Sequence, residues 1–452
     1  MAEETKPLPP AEPAPKEKRS WLMGCLMTVL IVLCALLITG SCWSCHVKNE
    51  TAQLSRHVRE LADEARAEMP QVAPEDDAAP LYLQAFTLYQ RPPRWGSGTT
   101  PDAEELARYI SGCSAYLQAL KLATAKPGCS FAFQEFEPGT TTTTVSDFLG
   151  AVEFLNSAAR HEVQSGRPGK ALELLGLALR MTHDASFVPF LVGPFFKERR
   201  FEPRICDELK LTLGDSEADP ASLKGFLEQL DWYLARRPDA VRAFQLAKLR
   251  SVAAVEDIAS GRELSLASMG SLPVMVDSRF RRDLWRASGL LLAEARHLER
   301  AFDLAMAAAS KPYAQAATET SAADQKFFCH LPFWAFRTYM NMPTMRQPRP
   351  GFPEVLTRAL ERHTRDLANL QAARIGLGCR LHRLKFGKYP EKLTELSEKL
   401  PEHFRELPAD PFTGKPLLYK KTGTGCVIWS VGPDRADDGG DEKKDIVFEL
   451  SK

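Results

Sequence analysis

The stretch from Val355 to Gly387, VLTRALERHTRDLANLQAARIGLGCRLHRLKFG, is the most strongly periodic run in the chain. Leu356, Leu360, Leu367, Leu370, Leu377, Leu381 and Leu384 fall on alternating three- and four-residue steps, which stack apolar side chains along one face of a helix. His363 and Arg374 interrupt that seam. Two polar seam positions argue against an intermolecular coiled coil and for a long helix lying within its own chain. Pro353 precedes the run and Gly387 follows it, as helix starts and stops require.

Downstream, Leu407-Pro408-Ala409-Asp410-Pro411-Phe412-Thr413-Gly414-Lys415-Pro416 leads through Tyr419 and Trp429 into Ser430-Val431-Gly432-Pro433-Asp434. Six carboxylates follow: Asp434, Asp437, Asp438, Asp441, Glu442 and Asp445. Gly439-Gly440 allows a tight bend among them, and strand-like residues flank the loop. The long helix and this ending make a small α+β module over residues 354–452. Calcium takes about six to eight oxygen ligands on a flexible loop, so Asp434, Asp438, Asp441 and Asp445 are candidate ligands. Asp434, Asp438, Gly439 and Asp445 match positions of an EF-hand loop, but Ala436 breaks the pattern and strands replace its helices. A solvated acidic turn is the competing reading.

Upstream, residues 50–350 read as helix after helix. Leu54, Val58, Leu61, Ala65 and Met69 mark one amphipathic helix, stopped by Pro70. Similar runs cover roughly 79–90, 102–125, 147–184, 203–213, 220–262 and 280–309. Phe148 to Arg180 reads as a helical hairpin turning at Gly166-Arg167-Pro168-Gly169, with small residues at the contact. It is similar to a single tetratricopeptide-type unit, but an array needs about three copies, so a plain bundle is favoured. Phe327 to Met345 concentrates aromatic and methionine side chains, read first as core. Cys329-His330 lacks an orienting carboxylate. His161-Glu162 begins a zinc-protease pattern, but Ser165 stands where the second histidine belongs. There is no Gly-x-Ser-x-Gly elbow and no phosphate-binding Gly-x-x-x-x-Gly-Lys loop.

At the other end, Trp21 to Thr39 is apolar and Ser20 to Cys45 carries no ionisable group except cysteine. Such a run spans the roughly 30 Å hydrocarbon core, so residues 21–43 are expected to be a transmembrane anchor. Lys16, Lys18 and Arg19 precede it and Lys48 is the next cation, which orients the N-terminus to the cytoplasm and the bulk of the chain outside. Residues 1–20 form a Pro-rich cytoplasmic tail, read as an extended spacer. Thr39-Gly40-Ser41-Cys42 offers a lipidation reading of the same segment, with an uncleaved anchor favoured. Cys42-Trp43-Ser44-Cys45-His46 also spells Cys-x-x-Cys-His, making Cys42, Cys45 and His46 candidates for c-type haem attachment. The site would have little protein to bury a macrocycle.

Lys and Arg number 58, as do Asp and Glu. That balance argues against nucleic acid as the main partner and leaves the membrane and other proteins. Cys113, Cys129, Cys206, Cys329, Cys379 and Cys426 are widely spaced, unlike a dense disulfide scaffold, and read mostly as buried thiols.

The helix running into Gly387-Lys388-Tyr389-Pro390, then Leu393 and Leu396, Asp410-Pro411-Phe412 with Gly414, Pro416 and Tyr419, and Ser430-Val431-Gly432-Pro433-Asp434 before Asp445-Ile446, resembles the globular half of major pseudopilins of type II secretion. The resemblance covers residues 355–450. It implies a long helix packed on a small antiparallel sheet, with calcium in the acidic loop before the last strand. The whole chain resembles bacterial membrane-anchored proteins with this same ending. Pseudopilins carry a glutamate inside their hydrophobic helix that registers subunits in the fibre; Trp21 to Thr39 has no acidic residue. Lys443 replaces an aspartate of the family's loop, which weakens the calcium expectation. The expectation is a mostly α fold: transmembrane helix, extracytoplasmic helical bundle and pseudopilin-like module, acting as a scaffold or binding protein without catalysis. A hydrolase with dispersed residues and a haem-bearing electron carrier are the alternatives.

Overall fold

The computed structural model describes residues 16–67, 71–90, 102–130, 143–186, 201–215, 218–261, 291–329 and 355–450. It is mostly helical, with one long apolar helix near the N-terminus and a small antiparallel sheet near the C-terminus. The Phe327–Met345 aromatic cluster and the Cys329-His330 pair lie outside the described side chains.

The first helix, α1 (Lys16–Ala67), does not stop at the end of the apolar run. At about 1.5 Å per residue it is close to 80 Å long. Its first half is long and apolar enough to cross a membrane, and that half is not buried against the rest of the chain. Leu30, Leu33 and Leu37 are more than half exposed. Its second half buries Leu54, Leu61, Ala62 and Ala65. The expected anchor and the expected amphipathic helix are thus one helix, because no Gly-Pro or turn cluster separates Thr39 from Glu50.

Then follow α2 (Ala79–Thr87), α3 (Ala103–Gly112), α4 (Ser114–Thr124), α5 (Thr143–Gln164), α6 (Pro168–Ala185), α7 (Phe201–Asp215), α8 (Pro220–Arg236) and α9 (Ala240–Ala259). α10 (Leu291–Ala309), α11 (Tyr313–Cys329), α12 (Val355–Phe386), α13 (Thr394–Lys399) and α14 (Pro401–Phe404) complete the helices among the described residues. The α5–α6 hairpin turns where expected, with Gly166 at φ 73°. The 220–262 run is two helices: Pro238 ends the first, and Asp239 caps the second by accepting the Arg242 amide. The 102–125 run likewise breaks at Cys113. α11 had no counterpart among the expected helices, since its Ala- and Thr-rich sequence has little apolar periodicity.

Among the described residues two large apolar cores are buried. One gathers Leu54 and Leu61 of α1, Phe244 and Val252 of α9, Leu298 and Phe302 of α10, and Leu356 and Leu360 of α12. The other gathers residues of α2 and α4 through α8 with Leu370, Ile375, Leu377 and Leu381 of α12 and Ile428 and Phe448 of the sheet. α12 belongs to both. Its N-terminus is capped from α11: Asp324 accepts the amides of Leu356 and Thr357 at 2.8 and 2.9 Å. Its C-terminus closes on Gly387 at φ 76°, whose amide donates to the Arg383 carbonyl.

Between the two cores the polar seam residues find partners. Arg237 grips Glu202 through Nε at 2.7 Å and a second nitrogen at 3.1 Å, and donates to His363 Nε2 at 2.7 Å. Tyr233 donates to the same glutamate. Arg374 pairs with Asp231 and donates to the His403 carbonyl at 2.6 Å. The seam interruptions are therefore intrachain contacts to α8 and the segment after it.

The sheet has strands β1 (Leu418–Lys421), β2 (Cys426–Ser430) and β3 (Ile446–Leu450) in the order β1-β2-β3. Leu418 faces Trp429 across the first pair, and Ile428 faces Phe448 across the second. The sheet lies on α12, and glycines on that helix let Phe448 of β3 and Phe404 of α14 come close. A Cβ on Gly376 would sit 2.4 Å from the Phe448 ring, and one on Gly378 would sit 2.4 Å from the Phe404 ring.

Two predictions follow from this packing. Alanine is better than glycine in a helix by about 1 kcal/mol, but overpacking costs about 1–3 kcal/mol. Gly376→Ala should lower the unfolding temperature, whereas Gly225→Ala, at a position in α8 with nothing within 4 Å, should raise it slightly. Burial and the Arg237 charge hold His363 well below the usual imidazole value, and Glu202 and Asp366 complete the charged surroundings of that arginine. The unfolded chain then binds the extra proton, so this contribution is present above about pH 6.5 and is lost as pH falls, by at most about 1.4 kcal/mol per pH unit. Urea melts should show stability falling from pH 7.5 to 5.5 less steeply in His363→Gln than in the wild type.

Candidate functional site

The acidic loop joins β2 to β3 at one end of the sheet. Asp410 ties its base together. This carboxylate is buried, accepts the Phe412 amide and the Ser430 hydroxyl through Oδ1 at 2.9 Å each, and accepts the Val431 amide through Oδ2 at 3.1 Å. The Asp-Pro-Phe and Ser-Val-Gly-Pro-Asp segments, twenty residues apart, are thus two halves of one hydrogen-bonded corner. Gly432 turns at φ 71°, and a Cβ there would meet the Lys444 carbonyl at 3.0 Å.

Within the loop the carboxylates are mostly committed to their own backbone. Asp434 accepts the Ala436 amide, Asp441 accepts the Lys443 amide, and both are exposed. Asp437 accepts the Trp429 indole N–H at 3.0 Å and the Gly439 amide at 2.9 Å. Asp438 receives the Lys444 ammonium at 2.6 Å. Lys444, not Lys443, is the cation that enters the loop. Asp438 and the loop's other negative charges hold the Lys444 amine above its usual range.

Asp445 is different. It is only 3% exposed, and one oxygen accepts the Gly440 amide at 2.7 Å while the other, Oδ1, is buried without a hydrogen-bond partner. Burial raises its carboxyl above the ordinary range, aided by the charges of Asp438 and Asp437 and opposed by backbone amides. An unpaired buried carboxylate oxygen with two further carboxylates close by is a donor set that suits a hard cation. Yet among the described residues no three His, Cys, Asp or Glu side chains converge on a single point. Of the candidate ligands, Asp445 and Asp438 lie close together, while Asp434 and Asp441 cap turns at the rim.

The other candidate site is spread along α1. Cys42, Cys45 and His46 are exposed on continuous helix, with the Trp43 and His46 rings 5.5 Å apart. Cys42 and Cys45 share a face by their three-residue spacing, with His46 one turn from Cys42. Among the described residues none packs over these side chains.

Two other buried carboxylates, Asp184 and Glu208, pair with arginines. Asp184 accepts the Tyr82 hydroxyl at 2.8 Å and lies beside Arg180, which also donates to the Lys126 and Pro127 carbonyls at 2.9 Å each. Arg160 pairs with the buried Glu208. Sequence patterns had not singled out Asp410 as a hub or Lys444 as the loop's cation. Pairing across the sheet leaves no local spacing to read.

The chain matches no family model, no curated protein and no solved structure.

Without a bound cation, ionising Asp445 would cost stability at neutral pH, since a raised carboxyl loses its contribution as pH rises. Asp445→Asn keeps an acceptor for the Gly440 amide. It should raise the melting temperature by a few °C at pH 7.5 in chelator. The same variant measured in millimolar calcium should gain less than the wild type does.

Proposed function

We propose that this chain is a membrane-anchored extracytoplasmic scaffold or binding protein, with a C-terminal loop stabilised by calcium. The continuity of α1 carries the proposal. An exposed apolar helix enters a packed body without a break, so membrane attachment and the first core are mechanically one element. Arg160 with Glu208, and Arg237 with Glu202, hold helices together, an arrangement suited to a rigid body.

On this reading Lys16, Lys18 and Arg19 stay cytoplasmic and α2 to α11 form an extracytoplasmic helical bundle. Residues 355–450 are a pseudopilin-like module reused outside a fibre, with Asp445 and Asp438 the inner calcium ligands and Asp434 and Asp441 completing the shell. Calcium would have to displace the Lys444 ammonium from Asp438, which predicts weak binding. The haem alternative has no support from the surroundings of Cys42, Cys45 and His46.

Two measurements test this. A membrane-impermeant protease added from the outer face should digest the body and spare the N-terminal tail; protection of the body would overturn the orientation. Chemical cross-linking in native membranes followed by mild solubilisation should hold the chain in an assembly larger than itself. A chain that remains solitary under those conditions is no scaffold. For the loop, calorimetry on the full chain should give calcium binding near millimolar that Asp445→Asn abolishes.

A further inference from the structure

Cys379 lies on α12 and Cys426 opens β2, and both are completely enclosed in the core that α12 shares with the sheet. α12 packs directly on β2 and β3. The two side chains are both free thiols and are close enough in that core for each to bear on the other. The Tyr419 hydroxyl on β1 donates to the Pro390 carbonyl at 2.5 Å and also lies against the Cys426 sulfur. The neighbours of the other buried cysteines are different. Cys113 sits by Tyr109 and the Gln90 backbone, and Cys206 by Glu202, Asp207 and Lys210.

We propose that Cys379 and Cys426 form a disulfide in the mature protein, joining the C-terminal half of α12 to the central strand of the sheet. The inference rests on the extracytoplasmic reading above, because that compartment supplies the oxidant: a protein or small-molecule disulfide. One cysteine thiolate attacks a sulfur of the donor disulfide, and the donor's second sulfur leaves as a thiol. The other cysteine, deprotonated, attacks the mixed disulfide and releases the second donor thiol. Two electrons and two protons pass from the pair to the donor, and one S–S bond replaces another.

Burial and the hydrogen bond with Cys426 push the Cys379 thiol well above its usual range. The folded pair therefore holds little thiolate and is closed to a donor, so exchange runs while the chain folds. Once formed, the bond closes the segment carrying α13, α14 and β1. It fastens the sheet to α12 where Gly376 lets Phe448 approach the helix.

The test uses the full chain in membranes, quenched in acid and alkylated before and after reduction. Peptide mapping should recover Cys379 and Cys426 as one cross-linked species that yields two alkylated thiols only after reduction. Cys379→Ser with Cys426→Ser should lower the melting temperature by on the order of 10 °C under non-reducing conditions. Reductant present during unfolding should bring the wild type down similarly and leave the double variant unmoved. Both cysteines alkylated without reduction would overturn the disulfide. So would free thiols after refolding the detergent-solubilised chain with glutathione disulfide, a result independent of compartment. Protease accessibility on the same membranes reports the side of the body separately, so a topological error and a wrong pairing leave different signatures.

Discussion

Everything in this molecule is arranged around a helix that must satisfy two hydrophobic cores at once. The N-terminal turns of α12 bury Leu356 and Leu360 against α1, α9, α10 and α11. Its C-terminal half buries Leu370, Ile375, Leu377 and Leu381 against α2, α4 to α8 and the sheet. A rigid rod shared in this way fixes the spacing of the two cores, because a shift that improves one contact drags the other. The polar zone between them, with Arg237 bridging Glu202 and His363, sits where neither core can cover the helix. Breaking such a pair leaves a charge without its partner, so the junction is specified by polar geometry as the cores are by volume.

A second long helix makes the same economy near the N-terminus. α1 carries an unburied apolar half and a packed half with no turn between them. A hinge would need glycine, proline or a cluster of turn formers, and the one candidate, Gly40, has helical neighbours on both sides. The apolar half is thus joined to the core containing Leu54 and Leu61 by a rod and not by a tether, so a tilt of one is passed to the other.

The acidic loop shows how far local pattern reaches. Its glycines, its place between two strands and its closing aspartate were all legible, because turn chemistry and alternation are short-range properties. The role of each carboxylate was not. Asp437 answers to Trp429, Asp438 to Lys444 and Asp410 to a segment twenty residues away. The loop's buried unsatisfied oxygen, on Asp445, is visible only once the sheet has closed over it.

By itself the sequence determined the long apolar run near the N-terminus, the helical character of most of the chain, the long leucine-seamed helix with its glycine stop and the strand-like residues that flank the acidic loop. Those features depend on residue propensity and on periods of a few residues. Only the tertiary structure decided that the apolar run and the first amphipathic helix are continuous and that α12 serves two cores. It likewise decided that His363 and Arg374 are partners of α8 and its flanking residue, and that Cys379 meets Cys426. These outcomes depend on contacts between residues far apart in the chain, where close approach is allowed by a missing Cβ at Gly376 or demanded by a buried charge, and no local period records them.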